Sequence, residues 1–365
     1  MIVRLSHLGD VVCTLPVLHA LHAAYPRARI AWVVQTEFAD LLEGMDGLEC
    51  VIPFERRGGL GAWRRVRRAM RAFRPELVVD AQGNTKSAAI AWCAGGRRVG
   101  WARTDWREPL GAWCMHTHAP PSLADRPHLV DRVATLIDFL APAHAGGPLR
   151  HDAALGEREL HAGAALLGEA LEAAGAPALT VASPTSGLLP DGPPPAVLVH
   201  LSSPEDVRAW PVSGWDELVT ALQERGVPVV VLSGPREETV ATEFRARHPE
   251  GTGVAHLVGQ RGLRELAGLF HAAGTAGIPL VAIDTGPMHL AWASGVRVVV
   301  LEGPQTAART GPWPARGGPH VELRAPSEPS CAPCLARRCS HPEGPVCMSG
   351  IRVTDVLAAL GLAST

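Results

Sequence analysis

The sequence predicts an α/β protein of two Rossmann-like domains facing a central cleft. Short β-branched runs alternate with helical patterns along the chain, and the alternation lapses once, in a stretch dense in Pro, Gly and Ser. Alternation of this kind implies parallel, doubly wound sheets. A length of 365 residues also exceeds what one hydrophobic core usually organises.

In chain order, strands are expected near Ile2–Leu5, Ile30–Val34, Cys50–Pro53 and Leu77–Asp80, where apolar runs are bounded by polar turns. Helical patterns cover Val11–Ala24, Leu60–Phe73, Thr85–Cys93 and Leu129–Leu140. The periodicity weakens after Glu172, and Pro177 to Pro195 reads as a linker. Strands resume near Val197–Leu201, Val227–Leu232, Val254–Val258, Leu280–Ile283 and Val298–Leu301, with helices between them. The expected divisions are a first domain over 1–175, a linker over 176–195 and a second domain over 196–350. A last helix, Val353 to Leu362, would then return onto the first domain. No short-period repeat points to a solenoid.

Composition narrows the function. Apolar content of 47% with 19% charge is globular, and a net charge of −2 argues against a general nucleic-acid binder. No signal-peptide pattern opens the sequence and no apolar run is long enough to span a bilayer. The expectation is a cytoplasmic protein that rests, at most, on the cytoplasmic face of the inner membrane. Basic residues are almost all Arg, with Lys86 the only lysine, as a GC-rich coding bias produces.

Polar turns after predicted strands are where open α/β sheets bind ligands. The most informative is Val281-Ala-Ile-Asp284-Thr285-Gly286-Pro287-Met288-His289, a buried strand running into a turn and then a helical pattern. Free N–H groups at that helix start suit a phosphate and Asp284 suits sugar hydroxyls, or Asp284 simply caps the helix. Asp10 in Ser6-His-Leu-Gly9-Asp10 is a general base or an N-cap, with Gly9 allowing a tight turn. Ser202, Ser203 and Arg208, ahead of Trp210, suit a diphosphate, although a surface Arg in a loop looks the same. Glu237 in Ser233-Gly234-Pro-Arg-Glu237 suits a ribose, or merely opens a helix.

Arg56, Arg57, Arg64, Arg65, Arg67, Arg68 and Arg71 crowd one segment, with Trp63 and Phe73 among them. Arg64, Arg67, Arg68 and Arg71 share a helix face that fits a phosphorylated, acidic partner or is a plain solvated face. Cys331, Cys334, Cys339 and Cys347 form a C-x2-C-x4-C-x7-C cluster that can hold a structural zinc ion; Cys13, Cys50, Cys93 and Cys114 read as scattered core residues. An oxidoreductase is disfavoured, because no G-x-G-x-x-G follows the first strand.

The turns occur in a diagnostic series: strand-Gly9-Asp10, Asp80-Ala-Gln82-Gly83-Asn84-Thr85-Lys86-Ser87, the Ser202–Pro211 loop, Gly234-Pro-Arg-Glu237, Asp284-Thr-Gly-Pro-Met-His289, Gly303-Pro304 and Thr310-Gly311-Pro312. This series resembles the lipopolysaccharide heptosyltransferase family, glycosyltransferase family nine, from Met1 to about Leu360. The resemblance implies a GT-B fold with an acceptor domain first and a donor domain second. It implies inverting transfer of a heptose or related sugar from an ADP-sugar to a lipopolysaccharide inner-core or similar glycan acceptor. Asp10 matches the base, Ser202, Ser203 and Arg208 the diphosphate loop, and Glu237 the ribose contact. Asp284 matches the sugar contact, and Thr285, Gly286 and His289 the adjoining phosphate turn. Arg56, Arg57, Arg64 and Lys86 are the acceptor candidates. No metal or other cofactor is called for beyond the ADP-heptose type donor.

Three positions depart from the family pattern. The Ser202–Trp210 loop is one residue longer, Arg208 stands where Lys is usual, and Glu302 replaces an apolar residue near the nucleotide. The alternatives are a transferase of another nucleotide sugar, or a relative that binds sugar nucleotides or glycans without chemistry.

Overall fold

The computed structural model describes residues 1–124, 126–176, 193–259, 261–314 and 317–363. The chain divides into two units, Met1–Ala154 and Leu155–Thr365. Among the described residues each unit holds one six-stranded parallel sheet.

The first sheet contains β1 (Ile2–Val3), β2 (Ala31–Gln35), β3 (Cys50–Phe54), β4 (Leu77–Asp80), β5 (Arg97–Gly100) and β6 (Thr117–His118). Their order is β3-β2-β1-β4-β5-β6. The inner strands are apolar up to the last residue, which is Gln35 in β2 and Asp80 in β4, as burial on both faces requires. The two outermost strands on one side, β5 and β6, lie outside the expected set, because Arg97-Arg98 and a two-residue strand carry no apolar run.

The second sheet contains β7 (Val197–His200), β8 (Val229–Ser233), β9 (Val254–Val258), β10 (Leu280–Ile283), β11 (Val298–Leu301) and β12 (Val321–Leu323). Their order is β12-β11-β10-β7-β8-β9. In both sheets the first strand lies between the second and the fourth. Connections therefore reverse direction between β1 and β4, and again between β7 and β10. Each reversal opens a crevice beyond the carboxyl ends of the strands.

Three features differ from the sequence reading. The helix Leu8–Ala24 begins three residues early, with His7 at its N-cap. Gly9 and Asp10 consequently lie in its first turn, so Gly9 makes no tight turn and Asp10 is not the cap. The helix Glu157–Ala173, which falls within the expected first domain over 1–175, belongs to the second unit and packs on the helix Leu263–Thr275. Glycines explain the closeness of that crossing: a Cβ on Gly163 would overlap the backbone of Gly268. Arg264 joins the pair by an ion pair to Glu159, with Nη2 2.8 Å from Oε2. Finally, Val353, Val356, Leu357 and Leu360 are buried in the core of the second unit with Trp210 and Trp215. The apolar face of the last helix, Val353–Ala359, is thus covered within that unit. Most of the expected linker, residues 177–192, lies outside the described residues.

Candidate functional site

The first sheet gathers polar groups at its crevice between β1 and β4. Asp10 lies in the first turn of the helix that follows β1, and its Oδ2 is 2.7 Å from Nη2 of Arg4. The Arg4 side chain is 5% exposed and that of Asp10 30%. Arg4 Nη1 also donates to Ala81 O at 2.5 Å, which anchors it across the crevice. From β4, Asp80 Oδ1 accepts from the backbone N–H of Gln82 and Gly83, both at 2.9 Å. Burial pushes the Asp80 carboxyl up to about 6 despite those bonds. Gln82 Oε1 then accepts from Leu5 N at 2.6 Å, tying the turn after β4 to the end of β1. Gly83 adopts φ +77°, a left-handed conformation that suits glycine.

Lys86 is in the first turn of the helix Thr85–Ala94, which follows β4 behind a capping box of Asn84 and Ser87. Asp10 and Lys86 thus follow neighbouring strands at one sheet edge. Arg56 and Arg57 form the exposed turn after β3, and Arg64 lies on the exposed face of the helix Gly59–Phe73. Ala62, Val66 and Met70 make the buried face of that helix.

The second crevice, between β7 and β10, is more tightly bonded. Asp284 follows β10 and is almost fully buried. Its Oδ1 is 3.0 Å from His289 Nε2 and its Oδ2 accepts from Thr310 Oγ1 at 2.9 Å. Trp292 Nε1 donates to His289 Nδ1 at 3.3 Å, so the hydrogen-bond network puts the His289 proton on Nε2, facing Asp284. Burial opposes the Asp284 charge, but the His289 bond, then Arg208 and Thr310, outweigh it and hold the carboxyl below its usual range. Thr285, not Asp284, is the N-cap of the helix Gly286–Ala293. The capping reading of Asp284 therefore gives way to a carboxylate fixed by side chains.

Arg208 reaches this cluster from the loop after β7. Its Nη1 donates to Asp284 O at 2.5 Å, while Nε and Nη2 grip Asp206 at 2.9 and 2.6 Å. Ser202 is buried and accepts from Trp215 Nε1 at 3.4 Å; Ser203 is half-buried beside it. Glu237 caps the turn after β8, accepting from Gly234 N at 3.0 Å, and burial raises its carboxyl above the usual range. Beyond β11, Glu302 is 1% exposed.

Among the described residues, no three His, Cys, Asp or Glu side chains are grouped so as to hold a metal ion. The zinc candidate of the sequence, Cys331, Cys334, Cys339 and Cys347, is thus not such a group. Cys331, Cys334, Cys339 and Cys347 do line one small pocket with Pro304 and His341. Cys347, however, is drawn into the core by the helix Val346–Ser349, while the other three are exposed.

Arg4, Asp206 and Thr310 escaped the sequence reading as functional groups. Arg4 had a signal, a lone charge in the apolar run Met1–Leu5. Asp206 had none, since an acidic residue in a loop is ordinary. Thr310 was visible only as part of a motif, because its partner lies 26 residues away in the chain.

A family model described as glycosyltransferase family 9 (heptosyltransferase) matches residues 63–343. Lipopolysaccharide heptosyltransferase 1 of Pseudomonas aeruginosa is 29% identical over 355 residues, covering 93% of this chain and 87% of the relative. Its counterpart in Escherichia coli K12 is 27% identical over 346 residues, covering 90% and 94%. The E. coli heptosyltransferase WaaC, solved with ADP-2-deoxy-2-fluoro heptose, superposes with a TM-score of 0.65 at 26% identity, over 89% of this chain and 92% of that one. E. coli ADP-heptose lps heptosyltransferase II shares the fold at a TM-score of 0.70 and 20% identity, over 99% and 97%.

Proposed function

The chain belongs to glycosyltransferase family 9, the heptosyltransferases, and has the GT-B fold; on that premise we propose that it moves a heptose from ADP-heptose to a lipopolysaccharide inner-core or similar glycan acceptor, with inversion. The observation that carries the donor half is the order of residues along the second sheet. Glu237 follows β8, Ser202, Ser203 and Arg208 follow β7, and Asp284 follows β10, in neighbouring strands. Strands lie about 4.8 Å apart. An extended nucleotide sugar laid across them meets a ribose acceptor, then diphosphate donors, then a carboxylate for sugar hydroxyls. The WaaC complex with an ADP-heptose analogue supports this reading.

In the proposed mechanism Asp10 takes the proton of an acceptor hydroxyl, which attacks the anomeric carbon opposite the leaving diphosphate. Arg4 holds the Asp10 carboxylate in place. Three N–H groups of Arg208 are engaged with Asp206 and Asp284; a guanidinium has five, and the remainder would meet phosphate oxygens. The N–H groups of Thr285 and Gly286, at a helix start, would share the charge that develops on ADP. Arg56, Arg57, Arg64 and Lys86 are proposed to receive an acidic acceptor, at the cytoplasmic face of the inner membrane.

Calorimetry with ADP, UDP, GDP and NAD tests the donor. A preference for ADP that is lost in Glu237→Ala or Arg208→Ala supports it. Preference for UDP or GDP discards heptose as the transferred sugar, and no nucleotide binding favours a non-catalytic glycan binder.

A further inference from the structure

Glu302 is unaccounted for by the donor contacts just described. It stands immediately beyond β11, whose Leu301 pairs in register with Ile283 of β10. Side chains alternate along strands, so the next residues, Glu302 and Asp284, fall side by side on one face of the sheet edge. The backbone N–H of Glu302 donates to Leu323 O at 2.9 Å, which fixes it against β12. Its side chain is buried, yet Oε1 has no hydrogen-bond partner. A buried polar atom left unpaired is costly, so this one calls for a ligand.

We propose that Glu302 is a specificity-determining residue of the donor site, its unpartnered carboxyl oxygen holding a hydroxyl of the transferred sugar beside the one taken by Asp284. The assignment rests on the ADP-sugar reading above. Strand order selects the sugar rather than the diphosphate. Arg208 comes from the β7 side of β10 and Glu302 from the opposite, β11 side. From Glu237 to Glu302 the row spans three strand spacings, roughly 14 Å, and Glu302 is its far, sugar end. A diphosphate there would sit against two acids, whereas a hydroxyl can both donate and accept.

The surroundings determine which form of Glu302 does this. Burial first, then the neighbouring Asp284 and Glu322 carboxylates, hold it well above the usual carboxylate range, against the pull of Arg324 and His289. Arg324 is itself engaged with Glu322, Glu328 and the carbonyls of Gly303 and Gln305. Arg208 faces the group from the β7 loop, and the Cys347 thiol, raised by burial, lies against Gly303. The neutral acid is therefore the binding form. Raising the pH ionises it, places a second negative charge next to Asp284 and removes the O–H donor.

The test compares ADP with ADP-heptose, without acceptor, by calorimetry on the full chain, in wild type, Glu302→Leu and Glu302→Gln. Loss of one buried hydrogen bond predicts that Glu302→Leu weakens ADP-heptose about tenfold while ADP binds as before, which also reports a folded site. In wild type the advantage of ADP-heptose over ADP should shrink as pH rises and Glu302 ionises. In Glu302→Gln, which cannot ionise, it should stay level. Equal ADP-heptose affinity in Glu302→Leu and wild type, parallel loss of both ligands, or a Glu302→Gln profile that follows wild type would each overturn the proposal. Failure of the donor reading shows in the wild type itself, as no gain of ADP-heptose over ADP, and it removes this proposal too. Failure of the Glu302 assignment alone shows as a gain that Glu302→Leu keeps.

Discussion

Asp10 and Arg4 stand 2.7 Å apart, and their pairing shapes what substitution should do. Asp10→Ala removes the proposed base and should lower kcat by about 10²–10⁴-fold, with ADP binding unchanged because the donor groups belong to the other sheet. Steady-state rates alongside calorimetry check this; full turnover in Asp10→Ala refutes the base. Arg4 is a positioning residue, since it bridges Ala81 O and Asp10. Arg4→Lys keeps the charge but not the planar fork, so kcat should fall more than KM rises. At the second site, Asp284→Ala leaves His289 and Thr310 without their carboxylate partner. ADP-heptose affinity should fall about tenfold or more, and unchanged binding by calorimetry would sink the donor assignment.

At the scale of elements, the turn after β4 and the crossing of Glu157–Ala173 on Leu263–Thr275 are the two features whose chemistry sets stability. Asp80 has a folded-state pKa of about 6 against 3.8 when unfolded. The folded protein thus binds the extra proton between those values, and this contribution to stability is lost as pH rises from about 4 through 6. The loss amounts to at most about 3 kcal/mol. Urea midpoints of wild type and Asp80→Asn, compared at about pH 4, near the lower end of the Asp80 range, and at about pH 7, above it, should diverge in that direction, and parallel behaviour would refute the assignment. Gly163→Val should lower stability by about 1–3 kcal/mol, because the added side chain meets the backbone of Gly268. Thermal melting reads it; an unchanged midpoint would mean that the helices can separate freely.

Over the whole molecule, each unit repeats one strand order around its own sheet, and each places a candidate carboxylate, Asp10 after β1 and Asp284 after β10, at the reversal of that order. A nucleotide held by the second unit alone should stabilise it by RT ln(1 + [L]/Kd), about 2.7 kcal/mol at a hundredfold excess over Kd. Hydrogen exchange with ADP should then gain protection after β7, β8 and β10 and leave β1–β6 unchanged. Protection gained first in β1–β6 would put the nucleotide in the other unit.

Strand–helix alternation and the polar turns behind each strand were legible in the sequence, because burial on both faces of a parallel sheet demands apolar runs and ligand sites demand polar turns at their ends. The central strands follow from that logic alone; it also marked Asp10, the Ser202–Arg208 loop, Glu237 and the Asp284–His289 turn as candidates, each with a structural alternative, and the family resemblance gave them their proposed roles. Tertiary structure decided what depends on partners distant in the chain. It assigned Glu157–Ala173 and the last helix to the second unit, since an amphipathic pattern shows that a face is buried but not against what. It brought Thr310 to Asp284 and Arg208 to Asp206, and it spread the cysteines between a buried helix and an exposed loop. The outer strands β5, β6 and β12 were silent for the same reason: their pairing comes from neighbouring strands rather than from their own side chains.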